Sequence, residues 1–468
     1  MKKAYILVVI LLSVIGFAAC DDSDDFSSDT GLKLSFSTDT VKFETVLSET
    51  GSPTKQFMIY NRNSKGLRIE SIELMSPETS GFSMNIDNER GTKLSNVEIL
   101  GKDSLYAFVE ITPKPDCPPI IRDSIRFVTN GNIQYVQLEA IGQEVYIWKN
   151  KKILSDTVLT DNKAYLIYDS LVVENGVTLE IEENVKFFFH HDASLKVHGT
   201  LIVKGSVEKP VIMRGDRFDY INGRIPYDNV SGRWEGIIFS RYSYNNRLEN
   251  VVAKNATKGM TFESSIPTIK KATLINTVVQ NTSTYGVRAT NCNIDAANCL
   301  FANSAGAALS LSGGSYSFVH CTIVNYYEWK ARQYQALILS NVSNDLKTYY
   351  PLTKCDIINC IIYGSASNEL ILTEDQNADF NYHFLNCVIK SPEKTGASYT
   401  NVIWNADPMF KDLNNERLYY YNFHLQGQSS AIDRADKTYS ISYPTDLDGN
   451  SRLNDTNPDI GCYEWIVD

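Results

Sequence analysis

The chain has 468 residues, 43% of them hydrophobic, with 44 basic against 55 acidic residues and a formal charge of −11. That sign excludes nucleic acid, whose binders need basic patches, and it disfavours docking on anionic lipid. The length implies more than one domain.

Residues 1–19 read as an export signal. Met1-Lys2-Lys3 is a basic start, and Tyr5 to Phe17 is an apolar run of 13 residues, too short for a comfortable membrane span. Its removal takes away Lys2 and Lys3 and moves the formal charge from −11 to −13. The run closes in Phe17-Ala18-Ala19-Cys20, which resembles the bacterial lipobox. The resemblance implies that Cys20 is acylated and becomes the mature N-terminus, held to a bilayer by roughly 0.8 kcal/mol per buried methylene. The acidic run Asp21-Asp22-Ser23-Asp24-Asp25 opens a solvated tether over residues 20–32, since such a segment has nothing to bury. It resembles the surface-export signal of Bacteroidota lipoproteins. The expected location is the outer membrane, lipid-anchored and exposed at the cell surface. No later apolar stretch reaches 18 residues, so the lipid is the only membrane contact expected.

Residues 33–145 carry short alternating runs such as Lys55-Gln-Phe-Met-Ile-Tyr60, Ser104-Leu-Tyr-Ala-Phe-Val-Glu-Ile111 and Gln134-Tyr-Val-Gln-Leu-Glu-Ala140. Period-2 alternation between turn-rich gaps predicts a β-sandwich. Phe43-Glu-Thr-Val46, Tyr60-Asn61 and Leu138-Glu-Ala-Ile-Gly142 resemble the Ig-like modules that precede surface domains in Bacteroidota lipoproteins, which implies a spacer.

Residues 146–406 change rhythm. A motif returns six times with Asn or His at its third position: Asn250, Asn276, Asn298, His320, Asn359 and Asn386. A period near 22 residues with tolerated insertions predicts a stacked parallel β-solenoid. Asn suits a left-handed turn and its amide can bond to the Asn of the next coil. The following position holds Val251, Thr277, Cys299, Cys321, Cys360 and Cys387. We read these as a ladder of small buried side chains, because no Cys-x-x-Cys pair offers zinc spacing. Leu171 to Ile181, Ser194 to Gly205 and Gly232-Arg-Trp234-Glu-Gly236 resemble the opening coils of bacterial right-handed parallel β-helix proteins, the pectate-lyase-like solenoids. The fold class expected is therefore all-β: an Ig-like sandwich followed by a right-handed parallel β-helix. Trp234 is expected to pack inside it.

Residues 407–468 carry Asp407-Pro-Met-Phe410, Ser430-Ala-Ile-Asp433, Asp446-Leu-Asp448-Gly-Asn-Ser-Arg452 and Pro458-Asp-Ile-Gly461-Cys-Tyr-Glu464. In that order they resemble the choice-of-anchor module that closes many secreted β-helix proteins, although Ser430 and Ala435 depart from the usual Pro and Gly. The expectation is a C-terminal cap. Family members are mostly of unassigned activity, so the resemblance gives shape more than chemistry.

Chemistry is sparse. Asp446, Asp448 and Asn450 alternate oxygens as a calcium loop does, but Asn457 stands where an EF-hand has Glu. Turn and cap hydrogen bonds are the competing use, and calcium is the only cofactor considered. Glycoside hydrolysis needs two carboxylates flanking the bond. The residue before each motif reads Arg247, Thr273, Asp295, Ser317, Asp356 and His383. If that column faces out, Asp295 and Asp356 stand roughly 10 Å apart by strand spacing, near the upper end for inversion. Two insertions break the coil rhythm, which is where solenoids graft function. One carries Tyr220 and Tyr227, the other Tyr326, Tyr327 and Trp329. Their rings either stack on sugars or pack the loops to the wall. The expected partner is a polysaccharide or a surface protein. The leading function is a non-catalytic glycan-binding or scaffold lipoprotein. A polysaccharide lyase or glycoside hydrolase and a structural or adhesive protein are the alternatives.

Overall fold

The computed structural model describes residues 25–343, 347–454 and 456–467. Cys20 and the signal segment lie outside the described residues. The chain divides into two compact units between Glu144 and Val145.

The first unit is an Ig-like sandwich of two five-stranded sheets. Strand Ile120–Thr129 shows why: its residues alternate between exposed and buried, as a half-buried strand requires. Its inner residues Ile125 and Phe127 meet Phe57, Ile59, Leu67 and Val136 in one core. Most pairings are antiparallel, but Thr40–Leu47 runs parallel to Asn132–Gln143, with a bulge between Ala140 and Ile141.

The second unit is a parallel β-helix, a single 26-stranded sheet wound into coils with three faces. On the first face an inward column passes through Phe187, Met213, Ala253, Val279, Phe301, Ile323, Ile362 and Ile389. The second face stacks Val197, Phe239, Phe262, Ala289, Leu311 and Leu339. The third stacks Val203, Leu248, Leu274, Ala296, Phe318, Ile357 and Phe384. These side chains form one continuous core, each fully buried one contributing about 1.5–3 kcal/mol. Trp234 belongs to it, stacked on Phe189 at 4.2 Å with its indole N–H donated to Lys254 O at 2.9 Å. Gly236 beside it has φ 123°, and a Cβ there would meet Lys258 O at 1.6 Å; only glycine fits.

The Asn column forms the corner between the third and first faces. Asn250, Asn276, Asn298, His320, Asn359 and Asn386 all have φ between 48° and 53°. The amide ladder is partial: Asn276 Nδ2 donates to Asn250 Oδ1 at 3.0 Å, and Asn359 Nδ2 lies 3.1 Å from His320 Nε2. Elsewhere the C-terminal chain supplies the partners. Asn298 Nδ2 donates to Thr445 O at 2.8 Å, His320 Nε2 meets Ser440 Oγ at 2.8 Å, and Asn386 Nδ2 donates to Arg434 O at 3.0 Å. The cysteines after these turns are buried free thiols. Cys299 and Cys360 point their thiols at the carbonyls of Ala297 and Ile358, at 3.2 and 3.1 Å. Thr277 makes the same contact to Ile275 O at 3.1 Å, so the column accepts either residue.

Residues 407–467 do not stack as a further coil. They run along the flank and cover the outside of the first face, where Phe410, Phe423, Leu425 and Ile460 pack on Leu300, Val324, Ile361 and Val388. This is why strands such as Ile361–Gly364 are buried on both sides, a pattern of doubly covered strands. Arg452, fully buried, pins the module: its Nη2 donates to Asn298 Oδ1 and to Gly461 O at 3.0 Å, and its Nη1 pairs with Glu464.

Candidate functional site

The predicted acidic column exists in register. Arg247, Thr273, Asp295, Ser317, Asp356 and His383 are consecutive partners across the third face. Both carboxylates are engaged: Asp295 by Lys270 at 2.6 Å and Asp356 by Lys354 at 3.1 Å. Ser317 stands between them, one coil from each. The Asp446 carboxylate is fully buried and accepts from the backbone N–H of Asp448, Asn450 and Glu464 at 3.0, 2.7 and 2.8 Å. Asn450 Nδ2 also donates to it at 3.2 Å, and Asp448 faces His424 Nε2 at 2.6 Å. These oxygens hold the turn that carries Arg452.

The two aromatic insertions are brought together with a third segment, 412–420. Asn229 Nδ2 donates to Leu418 O at 2.9 Å, and Asn414 Nδ2 donates to Glu328 Oε2 at 2.9 Å. Tyr327 is buried, with its hydroxyl 2.8 Å from Ser231 Oγ. Tyr326 packs on Phe410 and Phe423. Both rings support the loop, Tyr327 buried and Tyr326 partly buried. Trp329 is half-buried, edge-on to Tyr419 at 4.7 Å. Tyr227 lies under the Arg217 guanidinium at 3.8 Å. Tyr220 is 43% exposed.

The second face has room for a ligand. A groove of about 390 Å³ is lined by Ile238, Lys258, Thr261, Glu263, Thr284, Tyr285 and Arg288. Its floor is the outward column Ile238, Thr261, Arg288 of three successive coils. Tyr285 stacks on Tyr334 with centroids 5.9 Å apart, and the Arg288 guanidinium lies 5.1 Å from the Tyr285 ring. Burial, then Tyr334, raises the Tyr285 pKa, so its hydroxyl is a donor at neutral pH. Lys258 pairs with Glu235 at 2.5 Å, and Glu263 accepts from Arg241 N at 3.2 Å.

Tyr334 arrives on the insertion that also carries Trp329. That loop is held by Arg332, whose Nη2 grips the fully buried Glu369 carboxylate at 2.9 and 3.1 Å. Glu369 also accepts from Ala366 N at 2.7 Å and Ala336 N at 2.9 Å. Nη2 spans both carboxylate oxygens while Nη1 donates to Asn325 O, so charge-assisted bonds tie the loop at two points.

No family model matches the chain, and no curated protein matches it. Among solved structures, the PapD-like domain 7 of human CEP192 is similar over 24% of this chain and 87% of that one, at 10% identity and TM-score 0.18. A family 123 glycoside hydrolase from Clostridium perfringens is similar over 25% of this chain and 30% of that one, at 9% identity and TM-score 0.19. At such scores these likenesses carry no functional argument.

The sequence reading missed Lys258, Tyr285 and Arg288. A signal existed: Gly236-Ile-Ile238, Gly259-Met-Thr261, Gly286-Val-Arg288 and Ala308-Leu-Ser310 form a second register, small then apolar then outward-facing.

Proposed function

We propose that the protein is a lipid-anchored, cell-surface binder of polysaccharide and that it is not catalytic. The observation that carries this reading is the second-face groove: an aromatic ring, hydroxyls and a guanidinium line it, with Glu263 its only carboxylate. Glycoside hydrolysis needs two. Sugar rings stack on aromatic faces while flanking polar groups fix their orientation, and Tyr285, Thr261 and Thr284 supply both. Tyr334, stacked on Tyr285, extends the aromatic surface.

The test is retention of the soluble ectodomain on a panel of immobilised polysaccharides, scored together with new reducing ends. Retention without cleavage, reduced about tenfold or more by Tyr285→Ala, as loss of a stacking ring implies, supports the reading. Cleavage abolished by Asp295→Asn or Glu263→Gln overturns it in favour of an enzyme. No retention across the panel overturns it in favour of a protein partner.

A further inference from the structure

The charges around the groove are compensated unevenly. Lys258 is answered by Glu235 at 2.5 Å. The Glu263 carboxylate accepts from the Arg241 backbone N–H at 3.2 Å and has no ion-pair partner among the described residues, while the nearby, fully buried Lys271 donates its Nζ to Ser240 O at 2.5 Å and lies 5.2 Å from the Tyr244 ring. Burial pulls the Lys271 pKa down to about 8, while Cys292 and Glu263 hold it up. Arg288 differs: it touches the Tyr285 ring and meets no carboxylate among the described residues. The groove-facing guanidinium is the cation left for a ligand to neutralise, in a chain whose net charge is −11.

We infer that the groove takes an anionic glycan, with a ring carboxylate or sulfate on Arg288 and the sugar ring against Tyr285. This rests on the polysaccharide-binding reading above and specifies its ligand. Geometry favours it over a neutral chain. Covering Arg288 with a neutral sugar desolvates a charge without a counter-charge, which is costly. Covering it with an anion allows a bidentate, charge-assisted pair. Glu263 makes no ion pair with Arg288 among the described residues, so the guanidinium stays open to a ligand. The overall negative charge acts weakly at this range, since charges beyond about 8 Å are screened at physiological salt. The outward Thr261 is in register beside Arg288 and offers a hydroxyl to a neighbouring sugar.

The experiment compares the soluble ectodomain on four immobilised probes: a uronate polymer, the same polymer with its carboxylates reduced to primary alcohols, a sulfated polysaccharide, and its desulfated form. One anionic probe should be retained, with its neutralised partner bound at least about tenfold more weakly. Arg288→Gln should remove that preference, and Arg288→Lys should restore part of it, because a point charge lacks the fork. Near-ultraviolet circular dichroism checks that the variants are folded. Which anionic probe is retained distinguishes carboxylate from sulfate. Equal retention of the charged and neutralised probes, or a preference unchanged in Arg288→Gln, overturns the anion assignment and leaves polysaccharide binding standing. Absence of retention on all four, together with the wider panel, overturns both.

Discussion

Arg332→Ala removes one partner of an ion pair whose carboxylate, Glu369, is fully buried. Breaking such a pair typically costs about 3–5 kcal/mol, because the remaining charge is stranded. Here the lower end is expected, since Ala336 and Ala366 still donate their N–H groups to Glu369. Burial already raises the Glu369 pKa against the pull of Arg332. Without Arg332 it rises further, and protonation becomes a partial escape. The damage should therefore be larger at pH 7 than at pH 5. Hydrogen exchange of the 326–336 amides is the appropriate assay, because the injury is local and a solenoid need not unfold as one unit. Opening should become more frequent by about two orders of magnitude, the equivalent of roughly 3 kcal/mol. Ligand retention should fall with it, because Trp329 and Tyr334 ride on this loop. The pair Arg332→Met with Glu369→Leu should recover most of the protection, as apolar replacements of buried pairs do. Unchanged exchange in Arg332→Ala would refute the clamp, and unchanged retention would detach the loop from binding.

Three further outcomes are expected. Asn298→Leu forces a branched side chain into φ 52° and removes the contacts to Thr445 and Arg452. A loss of about 2–4 kcal/mol in chemical denaturation follows from strain plus a stranded buried group. Glu464 is raised to about 7, burial outweighing Arg452. A carboxyl raised in the folded state adds stability at low pH that is lost as pH climbs through the folded value. Stability from this group should thus decline between roughly pH 4.5 and 7, and Glu464→Gln should flatten that slope in pH-resolved melting curves. Cys20→Ala should move the protein from the membrane fraction to the soluble fraction; persistence with the membrane contradicts the lipid anchor.

The coil register was legible because a left-handed corner tolerates few residues. Asn at one fixed place, with His320 as its substitute, marks each coil, and the spacing survives the long insertion before Asn359. The outward register of Asp295 and Asp356 followed from the same rule. Their separate lysine partners did not, since Lys270 and Lys354 lie outside the motif. The position of the C-terminal segment along the first face was not legible from its residues. Only the doubly apolar first-face strands, such as Leu300–Ser304, hint that something covers them. The groove was hidden for a different reason. Its floor column varies freely from Ile238 to Thr261 to Arg288, because solvent-facing positions carry no packing constraint. Its wall depends on Tyr334 meeting Tyr285, and no local pattern encodes a contact across two coils and an insertion.

The most direct test of the binding site is hydroxyl-radical footprinting of the soluble ectodomain with and without a retained polysaccharide. Protection of Tyr285, Tyr334 and Trp329, with the Arg247-to-His383 column of the third face unchanged, is the expected result. Protection of the third-face column with Tyr285 and Tyr334 still reactive would contradict the second-face groove as the place where this protein binds.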